Sequence, residues 1–181
     1  MKPLFVCMGL ALGAASLMAQ PKAPPKSPPE KASVTIAGKT ISIDYSSPRV
    51  RGRAGAIFTK DGLISHDPHY PVWRAGANAA TTLHTDAGIM IGDLNVPAGT
   101  YTLFVDISDP ANWVLIVNKK TGEWGLAYDP SQDLGKVKMT MAKPAALVED
   151  LTYTLTDNGG GNGSLTLAWE NVSASVPIMV H

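Results

Sequence analysis

Thr100-Tyr-Thr-Leu-Phe-Val-Asp-Ile-Ser108 sets Tyr101, Leu103, Val105 and Ile107 on alternate residues, and a period of two marks a strand with one face turned to a core. Thr40-Ile-Ser-Ile-Asp-Tyr45 repeats the pattern, with Ile41, Ile43 and Tyr45 on one side and Thr40, Ser42 and Asp44 on the other. Residues 151–156 and 164–170 alternate in the same way. Trp113-Val-Leu-Ile-Val117 is apolar throughout, as expected of a strand covered on both faces. Shorter strand candidates lie at 33–36, 81–85, 88–91, 123–128, 137–141 and 174–180. Asp157-Asn-Gly-Gly-Gly-Asn-Gly163 reads as a flexible hairpin loop, because glycine and asparagine tolerate positive φ. Val96-Pro-Ala-Gly99 fits a type I turn that delivers the chain into the Tyr101 strand. Residues 143–150 carry the one helical pattern, with Pro144 suited to its first turn. Many short strands punctuated by Gly, Pro, Asn and Asp predict an all-β fold, a single antiparallel β-sandwich or jelly-roll-like domain.

Upstream of the strands the composition changes twice. Lys2 followed by the apolar residues 4–17 and by Leu17-Met-Ala19 reads as a cleavable signal peptide over 1–19. That apolar run is shorter than the roughly 20 residues a membrane-spanning helix needs, so no membrane span is expected. Gln20-Pro-Lys-Ala-Pro-Pro-Lys-Ser-Pro-Pro-Glu-Lys31 holds five prolines and reads as an extended, disordered linker over 20–31, ahead of a β-sandwich domain over 32–181. The only cysteine, Cys7, falls within the signal, so the mature chain has no disulfide. Cys7 also lies too early to be the lipidated cysteine of a lipoprotein, which argues against a lipid anchor. The expected location is outside the cytoplasm, periplasmic or secreted. About 150 residues without disulfides must be held by a core, and a domain of that size buries roughly 68–70% of its unfolded surface.

The chain carries 15 basic and 15 acidic residues. No basic surface of the kind that binds phosphate backbones dominates, which argues against a nucleic-acid partner. Arg49, Arg51 and Arg53 form the one local cluster.

Four segments in order carry a family likeness: Tyr45-Ser-Ser-Pro-Arg-Val-Arg-Gly-Arg53; Val72-Trp-Arg-Ala-Gly-Ala-Asn78 with Thr81; Val96-Pro-Ala-Gly-Thr-Tyr-Thr-Leu-Phe104; and Trp113-Val-Leu-Ile-Val-Asn-Lys119 with Trp124-Gly125. Together, over about residues 33–172, they resemble the exported bacterial proteins known as domain of unknown function 2911. The resemblance implies an all-β domain in or beyond the cell envelope and no established activity. Many members carry a glutamate directly after Gly-Ala-Asn, where this chain has Ala79. Any acid–base role of that carboxylate is therefore absent here.

The candidate ligand-binding residues are Arg49, Arg51, Arg53, Trp73, Arg74, Asn78 and Thr81, with Thr82 beside them. Arginine offers a planar fork of donors, tryptophan a flat face, and asparagine both a donor and an acceptor, a set suited to a saccharide or an anion. The competing reading makes Trp73 a core residue and lets Arg74 and Asn78 satisfy backbone groups. Trp113, Trp124, Trp169, Tyr101 and Phe104 read as core.

His66-Asp-Pro-His69 with His84 is the alternative metal-ligand set, although a structural zinc site needs four ligands and a catalytic one three. No cofactor is expected. Hydroxyl nucleophiles such as Ser46 and Ser47 lack a Gly-x-Ser-x-Gly elbow, and Asp86, Asp93, Asp106 and Asp109 have no informative spacing for paired-carboxylate chemistry. The leading expectation is a non-catalytic exported module that binds a small polar or saccharide-like ligand or an envelope component. The alternatives are a hydrolase with a carboxylate or histidine–metal site, and an envelope assembly module with exposed strand edges.

Overall fold

The computed structural model describes residues 25–181. The signal expected at 1–19 and residues 20–24 of the linker lie outside the described residues. The domain begins earlier than its composition suggests: β1 (Pro29–Ile36) already pairs with β2 (Lys39–Ser46), Pro29 opposite Ser46. Proline is tolerated there because it opens an edge strand, where its missing N–H leaves no ladder bond unmade.

Two antiparallel sheets share one core. The first has the order β1, β2, β4 (Thr81–Thr85), β7 (Gly99–Asp106), β8 (Val114–Asn118), β9 (Asp133–Lys138), and β3 (Val72–Trp73) pairs with the far end of β7. The second runs β11 (Val148–Gly159), β12 (Asn162–Glu170), β13 (Val172–Val180), β5 (Ile89–Ile91), β6 (Leu94–Val96), and β10 (Thr140–Ala142) also pairs with β13. The alternating residues meet where period two requires: Ile41, Ile43, Leu83, Leu103, Leu115, Leu165, Leu167 and Val176 are all buried in the shared core. β1–β2, β7–β8–β9 and β11–β12–β13 are neighbours in sequence that stay within one sheet, while the chain passes between the sheets from β4 to β5, β6 to β7 and β9 to β10, so the expectation of an antiparallel two-sheet sandwich holds.

Several local expectations need correction. Residues 143–150 are not helical; 143–147 form a loop and Val148 starts β11, whose Leu151 and Tyr153 alternate into the core. Among the described residues the only helical pieces are the 3-10 turns Ile64–His66 and Pro130–Gln132. The glycine-rich insert is mostly strand, since β11 runs to Gly159 and β12 starts at Asn162. Only Gly160 and Gly161, both at positive φ, cross between them. Residues 123–128 form no strand beyond the single bridge between Ala79 and Trp124, and Trp124 is 57% exposed rather than core.

The loop over residues 119–132 has a separate job. It covers the outer face of β7, where Phe104 packs on Tyr128 with ring centroids 4.8 Å apart and the buried Thr102 hydroxyl donates to the Lys120 carbonyl. Asn118 pins the loop at both ends, donating to the Asp129 carbonyl and accepting from the Lys120 N–H. β7 is thus buried on both faces, although its sequence alternates.

Candidate functional site

At one end of the sandwich the indoles of Trp73 and Trp169 stack 5.9 Å apart at an interplanar angle of 20°. Phe58 stands edge-on to both, and Trp113 closes the cluster. Burying four large aromatic side chains supplies much of the apolar area at this end and fixes the long connection that wraps over it. That connection, residues 47–71, is tied to the second sheet: the Ser47 hydroxyl donates to the Leu151 carbonyl, and the Leu151 and Val50 N–H groups donate to the Pro48 and Glu149 carbonyls. Buried Glu170, the last residue of β12, accepts the Gly55 N–H.

The arginine cluster sits on a tight turn in this connection. The Arg53 N–H donates to the Val50 carbonyl, and the two residues between, Arg51 and Gly52, both have positive φ. That combination is the primed turn for which glycine is favoured. The Arg53 guanidinium folds back onto the Val50 and Arg49 carbonyls, and the Arg51 guanidinium donates to the Lys26 carbonyl at 3.0 Å. Arg49 lies 2.8 Å from the Asp150 carboxylate, both about half exposed.

Arg74-Ala-Gly-Ala-Asn78 faces that turn. Asp67 takes the Arg74 guanidinium at 3.1 and 3.3 Å, and its other oxygen accepts the His69 N–H. The pair is largely buried, with the Arg74 side chain 17% exposed and that of Asp67 6%. Two glycines make the packing possible. A Cβ at Gly125 would stand 2.6 Å from Arg74 Cδ and 2.9 Å from the Asn78 carbonyl, and one at Gly76 would stand 2.7 Å from the Thr81 hydroxyl. The left-handed Ala75 is held by its carbonyl, which accepts from both Thr81 and the Tyr153 hydroxyl.

Burial pushes the Tyr153 phenol well above its ordinary pKa. Its neutral form therefore belongs to the folded state, and that contribution is complete below the ordinary tyrosine pKa of about 10 and is lost as the pH rises beyond it. Tyr153→Phe is expected to cost about 1–2 kcal/mol near neutrality, through one donor lost to Ala75, and to flatten the decline in stability above about pH 10. Urea unfolding across the alkaline range checks both. Tyr45 and Tyr128, also shifted upward chiefly by desolvation, keep the remainder of the slope.

These elements enclose an open cavity of about 540 Å³. Its lining gathers Arg49, Arg51, Arg53, Arg74 and Asn78, with Trp73 and Trp169 at its base. Lys26 adds a fifth cation, and Asp67 is the only acidic residue among those lining it. The Arg51 and Arg53 guanidiniums donate to carbonyls rather than to carboxylates, while the Arg51 backbone N–H donates to the Glu149 carboxylate at 2.8 Å. The electrostatic character of the cavity is positive, and its shape is a cleft rather than a flat face.

Two members of the candidate set play other parts. Trp73 is 1% exposed, with one face spent on Trp169, so it is a floor and not a platform for stacking a ligand ring. Thr81 is fully buried and serves Ala75, and Thr82 bonds locally to the Ala80 carbonyl. The histidines do not converge. His66 lines the cavity, His69 is bound to the Leu126 carbonyl, and His84 sits between Thr100 and Asp86. No group of three or more His, Cys, Asp or Glu able to hold a metal ion occurs among the described residues. Asp106 and Asp109 cap their own turns, and the Asp109 carboxyl is held below the usual range by the Ala111 N–H. Asp86 is lowered in the same sense by His84 and Thr40.

The model for a family described as Protein of unknown function (DUF2911) matches residues 27–178. The chain belongs to the DUF2911 family. No curated protein and no solved structure matches it. Segments that carry the DUF2911 likeness meet at the cavity: the arginine turn, the Arg74 to Asn78 loop, and Gly125, on which Arg74 lies. Lys26 and Leu126 are not legible as site residues, because nothing in their spacing ties them to Arg51 or Arg74, and Asp67 enters the sequence reading only within the alternative metal set, not as the Arg74 counter-ion.

Proposed function

We propose that this DUF2911 protein is a non-catalytic, exported binding module that holds a small polar or saccharide-like ligand, free or part of an envelope component, in the arginine-lined cavity. The observation that carries this is the convergence of Arg51, Arg53, Arg74 and Asn78, from separate loops, on one open cleft whose donors outnumber its acidic groups. Export rests on the charged and then apolar start of the sequence. Hydrolysis has less behind it: a general acid needs a carboxyl shifted upward, and Asp86 and Asp109 are shifted downward by hydrogen bonds.

The test is thermal unfolding with and without inorganic phosphate, sodium glucuronate and glucose at matched ionic strength, on the native chain and on Arg51→Ala. A ligand at about 100 times its Kd adds about 2.7 kcal/mol of stability. For a domain of this size that raises Tm by roughly 5–10 °C. Arg51→Ala should raise the Kd about 10- to 100-fold, as expected for one charged hydrogen bond. Equal shifts in both proteins would place binding elsewhere.

A further inference from the structure

The donors of the cavity are already in use, and what uses them is the chain itself. Residues 25–28 run along the cleft ahead of β1 and bend at Lys26 and Ser27, the two that line it. The Arg51 guanidinium donates to the Lys26 carbonyl at 3.0 Å, and the Asn78 amide donates to the next carbonyl, Ser27, at 3.3 Å. Pro28 then anchors the segment through the Ser47 N–H, and Pro29 enters β1. Two consecutive carbonyl oxygens thus sit on the two donors best placed to receive a ligand.

We infer that residues 25–28 act as a built-in competitor, a strap that an anionic ligand, a carboxylate or phosphate, displaces from Arg51 and Asn78. This rests on the cavity being the ligand site. Neutral carbonyls are the weaker acceptors: hydrogen bonds from a guanidinium to a carboxylate or phosphate are about twice as strong as neutral ones and are frequently bidentate. The strap is held by few contacts. Beyond the Pro28 anchor, those two bonds are the only hydrogen bonds it makes among the described residues, and both are solvent-exposed. Such a segment belongs to the easily opened end of a structure's local stability. A site blocked in most molecules binds with an apparent Kd raised by the inverse of its open fraction, about tenfold if one molecule in ten is open. The positive lining fits the same ligand class, since with Arg49 paired to Asp150 and Arg74 to Asp67, Lys26, Arg51 and Arg53 remain as cations of the lining with no salt bridge among the described residues.

Lys26 followed by Ser27 is itself a trypsin site within the strap, so the intact chain reports strap release directly. Cleavage after Lys26 is followed by mass spectrometry with inorganic phosphate, sodium glucuronate or glucose added at matched ionic strength. Binding is measured in parallel by calorimetry. A saturating anion should accelerate cleavage after Lys26 several-fold while glucose leaves it unchanged, and phosphate and glucuronate distinguish the two anion sources. Pro25→Gly/Pro28→Gly, which touches neither donor, should tighten anion binding several-fold and speed cleavage without ligand, because the released strap gains conformational freedom. Binding with unchanged or slowed cleavage overturns the strap and leaves the cavity as the site. Binding of glucose but of neither anion overturns the strap alone, and failure of all three to bind overturns both.

Discussion

Trp73→Ala should lower folding stability by about 3–5 kcal/mol, the range for deleting a buried large aromatic side chain. In Tm this is roughly 6–20 °C for a domain of this length. The indole is 1% exposed, stacked on Trp169 and met edge-on by Phe58 and Trp113, so its removal leaves a void that β3 and the 47–71 connection cannot both collapse to fill. Guanidinium unfolding measures the loss. The same variant should lose ligand affinity only in proportion to the disorder it causes in the arginine turn above. A loss under about 1 kcal/mol, with binding abolished, would restore Trp73 to the role of exposed platform and contradict the packing described here.

Arg74→Leu is the second large effect, expected to cost about 2–4 kcal/mol, because it strands the Asp67 carboxylate in a largely buried position with only the His69 N–H still facing it. Adding Asp67→Asn to that variant should recover part of the loss, since a neutral amide is cheaper to bury than an unpaired charge. The double-mutant cycle separates the pair from the packing of the Arg74 stem across Gly125. If the two substitutions add without coupling, the Arg74–Asp67 contact is not what orders this loop.

The periodicity of residues 40–45 and 100–108 was sufficient to anticipate two antiparallel sheets, because alternation expresses which face is dry. Residues 143–150 misled for the opposite reason: Ala and Leu favour a helix locally, yet pairing of Leu151 and Tyr153 with the core claims the chain as strand from Val148. Trp124 misled because a large aromatic usually buries, whereas here the neighbouring Gly125 is the residue that packs and the indole is left outside. In the site, Arg51, Arg53, Arg74 and Asn78 were legible by chemical type, since several fork-shaped donors close in sequence invite a common acceptor. Flanking histidines suggest Asp67 only for the alternative metal set, and it is the folded loop that turns it toward Arg74, seven residues on. Glu170 gave no signal, as its role depends on a strand that meets Gly55 from the far end of the chain.

The central claim is that the arginine-lined cavity is where this DUF2911 domain binds its ligand. The most direct measurement is a two-dimensional nitrogen–proton NMR titration of the isotope-labelled protein with sodium glucuronate at constant ionic strength. Saturable shifts of the Arg51, Arg53 and Arg74 guanidinium signals, the Asn78 amide and the backbone of residues 26–27, fitting a single Kd, are the predicted result. Saturable shifts confined to another part of the sandwich, or none in any of these groups, would contradict it.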